Sequence, residues 1–194
     1  MHTKMYKKNE RSLGARLAVA ALALAATCAI ATPCPRVRAD DAALTKFSGN
    51  YIYAADKAHG EAIIDKAIDK ALSELGSVMK MMAKKAMSMN PRQKFMDKVW
   101  IDTPGGQIGL KIGDLDKIVL KPGKPKTMER DGRKAKVMHD FKGGKVIQTV
   151  EGERGAIKNT FTLASDGKTL HRDVVITSPR LQQPITYRLT YKRK

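Results

Sequence analysis

Cysteine is nearly absent from this sequence: the 194 residues include two, Cys28 and Cys34. Both fall within the first 39 residues, ahead of the part of the chain for which regular secondary structure is predicted. The rest of the chain therefore has neither disulfides nor zinc sites built on thiolates. Its stability must come from an ordinary buried core, and a chain of about 155 residues is long enough to form one.

Catalytic motifs are also missing. The sequence has no Gly-x-Ser-x-Gly, no phosphate-binding loop and no paired-carboxylate pattern. The histidines that follow residue 39, His59, His139 and His171, fall in separate predicted elements without metal-ligand spacing. His171 and Asp173 share one face of a predicted strand and are the pair that an enzyme would use here. We expect neither an enzyme nor a cofactor, and keep an enzyme on the same fold as an alternative.

Aromatic residues are few: four Phe, five Tyr and one Trp. Proteins that bind single-stranded nucleic acid rely on stacking against such side chains, so we do not expect nucleic acid as a partner. Positive charge, by contrast, is abundant, with 37 Lys and Arg against 19 Asp and Glu. A basic excess attracts anions with a strength that falls as salt rises. We therefore expect an anionic lipid or cell-envelope surface among the partners of a monomeric protein.

The sequence also lacks an apolar run long enough for a comfortable membrane span. The run from Leu17 to Ala31 has about 15 residues, whereas a span needs about 20. A basic head precedes it, and small residues end it at Val37-Arg38-Ala39, an order typical of a secretory signal peptide. We predict that residues 1–39 are removed and that residues 40–194 form one extracytoplasmic domain, periplasmic or secreted, most consistent with a bacterial envelope.

Three alternatives for this leader stay open. Cleavage after Ala29 or Ala31 would also satisfy the preference for small residues. The apolar run would serve as a retained anchor if it were not cleaved. Cys28 would carry a lipid if the leader were that of a lipoprotein, although Ala25-Ala26-Thr27 matches that motif poorly.

Residues 57–90 have the apolar periodicity of a helical segment. The apolar positions, three or four apart, are Ile64, Ile68, Leu72, Leu75, Met79, Met82 and Ala86. Gly76 predicts a break into two helices, and Asn90-Pro91 ends the segment. The methionines at 79, 81, 82, 87 and 89 indicate packing of this segment against the rest of the protein. Copper(I) binding by their thioethers is a weaker alternative.

Alternating apolar and polar residues follow, interrupted by turn residues about every ten positions. One predicted strand, 45–53, precedes the helical segment. Those that follow it are 97–103, 107–112, 116–121, 133–141, 145–151, 156–164, 169–177 and 184–192. Short turns such as Asp131-Gly132 and Asp166-Gly167 favour hairpins. The fold class predicted is mainly β: an antiparallel up-and-down barrel of about 8–10 strands, with a helix pair inserted after the first strand.

This order of elements resembles the calycin superfamily, and within it the fatty-acid-binding proteins. Phe47-x-Gly49-x-Tyr51 is similar to the opening of those chains, with Tyr51 where the family has tryptophan. The closing strand, Thr186 to Arg193, is similar to the Arg- and Tyr-containing last strand of the superfamily, though the spacing of Arg188 and Tyr191 differs from the Arg-x-Tyr of fatty-acid-binding proteins. The resemblance implies a barrel that binds a small apolar or amphipathic ligand beneath a helical lid.

On this hypothesis the ligand-binding residues are Tyr51, Trp100, Phe161, Tyr187 and Tyr191 inside the barrel, with Arg188 as a partner for an anionic head group. A basic rim would attract that head group, and movement at Gly76 would open the lid. Two questions stay open: whether the inward side chains fill the barrel or line a cavity, and whether the protein is instead a basic structural or adhesive module that docks on anionic envelope surfaces without an internal ligand.

Overall fold

The computed structural model describes residues 39–73, 80–81, 84, 95–130 and 132–194. Two helices of this part are α1, Ala39–Thr45, and α2, Lys57–Ala71. The strands are β1 Gly49–Tyr53, β2 Lys98–Asp102, β3 Ile108–Ile112, β4 Ile118–Leu120, β5 Lys126–Arg130, β6 Arg133–Lys142, β7 Lys145–Gly152, β8 Gly155–Leu163, β9 Thr169–Thr177 and β10 Ile185–Arg193. None of the described helices has the length and apolarity needed to cross a membrane.

All the strand pairs are antiparallel and form one sheet in the order β4-β3-β2-β1-β10-β9-β8-β7-β6-β5. The sheet curls into a barrel in which the first strand pairs with the last: in the pair β1–β10, Tyr53 lies opposite Tyr191. β4 and β5 are its unpaired edges, so the barrel is nearly closed rather than fully closed. The predicted mainly β, antiparallel up-and-down barrel is confirmed.

Two elements were not predicted. α1 occupies Ala39–Thr45, and β1 begins at Gly49, so the predicted strand over 45–53 starts too early. β5 was missed because it is an edge strand, Lys126–Arg130, in which Met128 is the one apolar residue. A single apolar position produces no alternation that a pattern search can detect.

Helix α2 follows β1 as predicted. Asp56 caps its N-terminus: the Asp56 side chain accepts a hydrogen bond from the His59 amide at 2.7 Å. Ile64 and Ile68 are buried on its apolar face, and Gly60 lies so close to Phe95 that a Cβ there would clash with the ring. The predicted break at Gly76 lies outside the described residues.

The methionines of the helical segment fall mostly in the same undescribed part. Met79, Met82, Met87 and Met89 lie outside the described residues, whereas Met81 is exposed. Their predicted packing and the copper(I) alternative therefore stay predictions.

The barrel interior is filled unevenly along its axis. At the end near α1, Leu44 and Phe47 pack with inward side chains such as Val146, Phe161 and Leu170. At the other end, the apolar face of α2 packs on β9 and β10. This second cluster comprises Ile64, Ile68, Ala71, Leu72, Val174, Ile176 and Ile185. Neither cluster fills the side of the barrel formed by β3 to β8, where a cavity remains.

Candidate functional site

A cavity of about 170 Å³ lies inside the barrel, on the side of β3 to β8. Its apolar wall includes Leu110, Ile112, Met128, Val137, Val150 and Ile157. Its polar wall is formed by Gln148, Asn159 and Arg172. Whether the inward residues fill the barrel or line a cavity was left open by the sequence, and both occur: the end near α1 is packed, and the opposite end holds a cavity.

A line of hydrogen-bonded side chains crosses the interior at the base of this cavity. We call it the polar ladder; its members are His139 on β6, Gln148 on β7, Asn159 on β8, Arg172 on β9 and Tyr191 on β10. Each member takes an inward position of its strand, and for the first four members the flanking inward residues are apolar. All five are buried. Polar groups placed this deep are tolerated because they bond to one another.

The direction of the first bonds follows from the chemistry of each atom. His139 Nδ1 lies 2.9 Å from the Ile108 carbonyl, which can only accept, so Nδ1 carries the proton. His139 Nε2 is then the acceptor for the Gln148 amide nitrogen at 3.1 Å. Burial lowers the pKa of His139 below its ordinary value of 6.5, and the Ile108 carbonyl opposes part of that shift. The imidazole is therefore neutral in the folded protein at neutral pH.

The remaining bonds originate at Arg172. Its Nε donates to Asn159 Oδ1 at 3.0 Å, and the Asn159 amide donates to Gln148 Oε1 at 3.0 Å. Nη1 of Arg172 donates to the Tyr191 hydroxyl at 3.4 Å, and that hydroxyl donates to the Met96 carbonyl at 2.8 Å. Burial raises the pKa of Tyr191, and the nearby Arg172 offsets this in part. On both sides of Arg172, each side chain of the ladder therefore accepts from the neighbour nearer the guanidinium and donates to the group beyond it.

Arg172 has no carboxylate partner among the described residues. It is 5 % exposed, its bonds go to the neutral side chains of Asn159 and Tyr191, and it lines the cavity. Removing a guanidinium from water without a counter-charge costs several kcal/mol in general. A buried arginine on a cavity wall is well placed to bind the anionic end of a ligand, because that end would supply the missing charge.

An acidic residue lies at the exposed edge of the cavity. Asp116, in the turn after β3, lines the cavity, is exposed, and forms no ion pair with the residues that the structure describes. Glu129 on β5 also borders the cavity, but it follows the inward Met128 and lies opposite Lys134 of β6, so its side chain faces outward. The expected basic rim stays a prediction.

Four of the six predicted binding residues point into the barrel. Tyr51 is buried beneath Arg193, which donates to its hydroxyl at 2.7 Å, and Phe161 is buried in the packed end. Tyr187 lies half-buried between the two apolar clusters, and Tyr191 belongs to the polar ladder. None of the four is among the described residues that line the cavity. The hydroxyl of Tyr191, however, accepts a hydrogen bond from Arg172, which does line it. Their role in binding stays a prediction.

The other two lie outside the barrel, which corrects their expected placement. Val99 and Ile101 take the inward positions of β2, so Trp100 between them faces outward, with Lys117 Nζ 3.8 Å from its ring centroid. Arg188 is also on the outer surface, where it binds Asp173 with contacts of 2.6 and 3.1 Å. Successive residues of a strand face opposite sides, and both errors come from this alternation.

The pair proposed for an enzyme is not in the cavity. His171 and Asp173 share the outer face of β9, where His171 contacts the Thr190 hydroxyl at 3.1 Å and Asp173 is bound by Arg188. Within the described part of the chain, no three His, Cys, Asp or Glu side chains are grouped so as to hold a metal ion.

The outward side of β1 to β3 has a shallow groove of about 430 Å³. Trp100 lies in it opposite Asn50 on β1 and Lys111 on β3. Lys98 and Lys194 also line it, together with Asp114. The groove thus combines an aromatic ring with three lysines and one carboxylate.

Sequence analysis missed four of the five ladder residues, although a signal was present. Gln148 lies between Val146 and Val150 in the apolar phase of its strand, and Asn159 lies in the same way between Ile157 and Phe161. His139 and Arg172 repeat the pattern on β6 and β9. A polar residue in the buried phase of four successive strands predicts a polar layer inside a barrel.

No protein-family model and no curated protein matches the sequence. Solved structures are similar to it. A secretory abundant heat soluble protein from Ramazzottius varieornatus has a TM-score of 0.50 at 13% identity, covering 77% of this chain and 96% of its own. A fatty-acid-binding protein from Drosophila melanogaster brain has a TM-score of 0.45 at 18% identity (75% and 98%), and Echinococcus granulosus fatty-acid-binding protein 1 has 0.46 at 10% (76% and 97%). The chain therefore shares the barrel fold of the first of these structures, as its strand order predicted.

Proposed function

We propose that this protein binds a small amphipathic anion inside the barrel, with the anionic end at Arg172 and the apolar part along β3 to β8. The observation that carries the proposal is the buried guanidinium on the cavity wall, which has no carboxylate partner among the described residues. The fatty-acid-binding barrels with the same fold support a hydrophobic ligand in general terms.

Both ends of such a ligand find a suitable environment. A carboxylate at Arg172 would accept charge-assisted hydrogen bonds, which are stronger than those between neutral groups. Asn159 and Gln148 stand beside it as further polar groups of the wall. The rest of the ligand would lie against Ile112 and Val150, where transfer of apolar surface out of water favours binding.

The first experiment is native mass spectrometry of the protein purified gently from its own host, followed by organic extraction of what it carries. We expect one small anionic molecule per chain. A protein that is empty, and that also fails to bind a small environment-sensitive carboxylate probe, would overturn the proposal.

The matched variants are Arg172→Gln and Arg188→Gln. Each removes one guanidinium from a neighbouring strand, but Arg172 lines the cavity and Arg188 pairs with Asp173 outside. We expect Arg172→Gln to weaken probe binding at least about tenfold, the size of a lost charge-assisted bond. Arg188→Gln should bind as the original does. Equal binding by all three proteins would show that the anionic end lies elsewhere.

We also propose that the protein is exported and acts as a carrier outside the cytoplasm, on the strength of its leader. Intact-mass measurement of the protein recovered from its host tests this directly. A mass that begins at Asp40 is the expected result. A full-length mass in the cytoplasmic fraction would contradict export, but would leave ligand binding untouched.

A docking module that needs no internal ligand is the alternative, favoured by the outer groove with Trp100, Lys98 and Lys111. The two hypotheses differ in their dependence on salt. Docking by exposed charges weakens as ionic strength rises, whereas a ligand buried at Arg172 should be retained. Release of all bound material in high salt would favour the docking module.

A further inference from the structure

We infer that the ligand is a short, straight-chain carboxylate about the size of hexanoate or octanoate, with one charged end and an uncharged far end. The inference rests on the proposed function and adds to it the length of the ligand and its charge pattern. Two features of the inner cavity carry it: a volume of about 170 Å³, and the position of Arg172 at its base with Asp116 at its exposed edge.

The volume sets the length. A cavity of about 150 Å³ accommodates a benzene molecule, whereas pockets for larger ligands usually measure about 300–1,000 Å³. The cavity of about 170 Å³ is therefore filled by a chain of a few methylenes beyond the carboxylate. A long fatty acid such as palmitate has nearly twice as many non-hydrogen atoms as octanoate and exceeds that space.

The surroundings explain why the cavity ends where it does. Towards α1, the polar ladder forms its base, and beneath the ladder Phe161 and Leu170 are fully buried in the packed end. Towards β9 and β10, Ile68 of α2 and Ile176 belong to the second apolar cluster, which occupies that side. A longer chain would have to displace close-packed side chains, which costs free energy.

The charge pattern sets the polarity. With the carboxylate at Arg172, the far end of the ligand points toward the exposed edge, where Asp116 has no ion-pair partner in the described part of the protein. A second anionic group there would face a like charge and would also lose water, so a dicarboxylate of the same length is disfavoured.

The length is tested by isothermal titration calorimetry of the full chain with butyrate, hexanoate, octanoate, dodecanoate and palmitate, each below its aggregation concentration. Every buried methylene should tighten binding about fourfold. We expect this gain up to octanoate and none beyond it. Palmitate binding about tenfold or more tighter than octanoate would overturn the inference while sustaining the proposed function. Failure of every carboxylate to bind would overturn the proposed function itself.

The charge pattern is tested with hexanoate against hexanedioate. We expect hexanedioate to bind at least about tenfold more weakly, because like charges meet at the exposed edge. In the variant Asp116→Asn that ratio should fall severalfold, whereas Glu129→Gln, on the outward phase of β5, should leave it unchanged. Since both carboxylates are exposed, both variants should fold as the original does. Equal binding of the two acids to the original protein, or a ratio unchanged in Asp116→Asn, would contradict the assigned role of Asp116.

Discussion

His139 on β6 donates from Nδ1 to the Ile108 carbonyl on β3 at 2.9 Å, although β4 and β5, the strands next to them, are not paired with each other. The backbone carbonyl of the same residue accepts from the Gly123 amide at 2.8 Å, in the connection between β4 and β5. One residue therefore joins both sides of the break in the barrel. The ring bond is buried, so it is not exchanged for a bond to water.

We predict that His139→Leu lowers the free energy of unfolding by about 2–4 kcal/mol. The change leaves the Ile108 carbonyl and the Gln148 amide without partners in the interior, and each such buried group costs about 1–3 kcal/mol. Urea denaturation followed by circular dichroism measures the loss. His171→Leu is the control: that ring is half-exposed and makes one hydrogen bond, so a loss of at most about 1 kcal/mol is expected. Equal losses in the two variants would mean that the ladder does not stabilise the barrel.

We predict that the protein loses stability as the pH falls below about 6.5. Burial lowers the pKa of His139 in the folded state, so the unfolded chain takes up a proton at a higher pH than the folded one. Above that range both states are neutral at this residue, and the stability is fully present. Below it the free energy of unfolding should fall by up to about 1.4 kcal/mol per pH unit, until the folded imidazole also protonates.

The measurement is the urea midpoint between pH 8 and pH 5, for the original protein and for His139→Gln. The variant has no imidazole at this position and should lose the part of the pH dependence that lies just below pH 6.5. A decline of the same steepness in the variant would assign the effect to other groups.

We predict that Gly60→Ala destabilises the protein by about 1–3 kcal/mol, although alanine favours helices over glycine by about 1 kcal/mol. The added methyl group would clash with the ring of Phe95, which packs against α2 at this point. Thermal unfolding measures the change. Lys66→Ala on the exposed side of α2 serves as the control, with an expected effect within about 0.5 kcal/mol. If Gly60→Ala is neutral, Phe95 does not hold α2 in this way; partial rescue by Phe95→Leu would support the contact.

We predict that the fluorescence of Trp100, the one tryptophan of the chain, is insensitive to a ligand in the barrel. Its ring lies on the outer face beneath Lys117, which also binds Asp102 at 2.7 Å. Emission spectra should therefore shift on the change Lys117→Met but not on saturation with hexanoate. A stoichiometric change of emission with hexanoate would place the ligand in the outer groove rather than in the cavity.

Most of the barrel could be predicted because it is built from local patterns. Strands such as β9, predicted and found at 169–177, alternate cleanly between inward and outward residues. The elements that were missed lack such a pattern: β5 has one apolar residue, and α1 is a single short helix of seven residues. Local periodicity cannot reveal an element that is stabilised mainly by its neighbours.

The site was harder to predict, for two physical reasons. Trp100 and Arg188 were selected for their residue types, but the register of their strands directs them outward. Arg172 and Asn159 were overlooked because a polar residue in an apolar phase is normally discounted, and only the folded sheet brings Asn159 of β8 next to Arg172 of β9. Residue type alone therefore selected an arginine of the outer face.

The strand order has a consequence for how fast the protein folds. Every strand pairing in the described chain joins neighbours in sequence, except that of β1 with β10, which brings Tyr51 opposite Arg193. Contacts between distant residues are the slow ones, because a long loop must close before any contact compensates for its entropy. Refolding should then be limited by the meeting of these two strands, and variants in their shared register should slow refolding more than variants in the hairpin of β6 and β7.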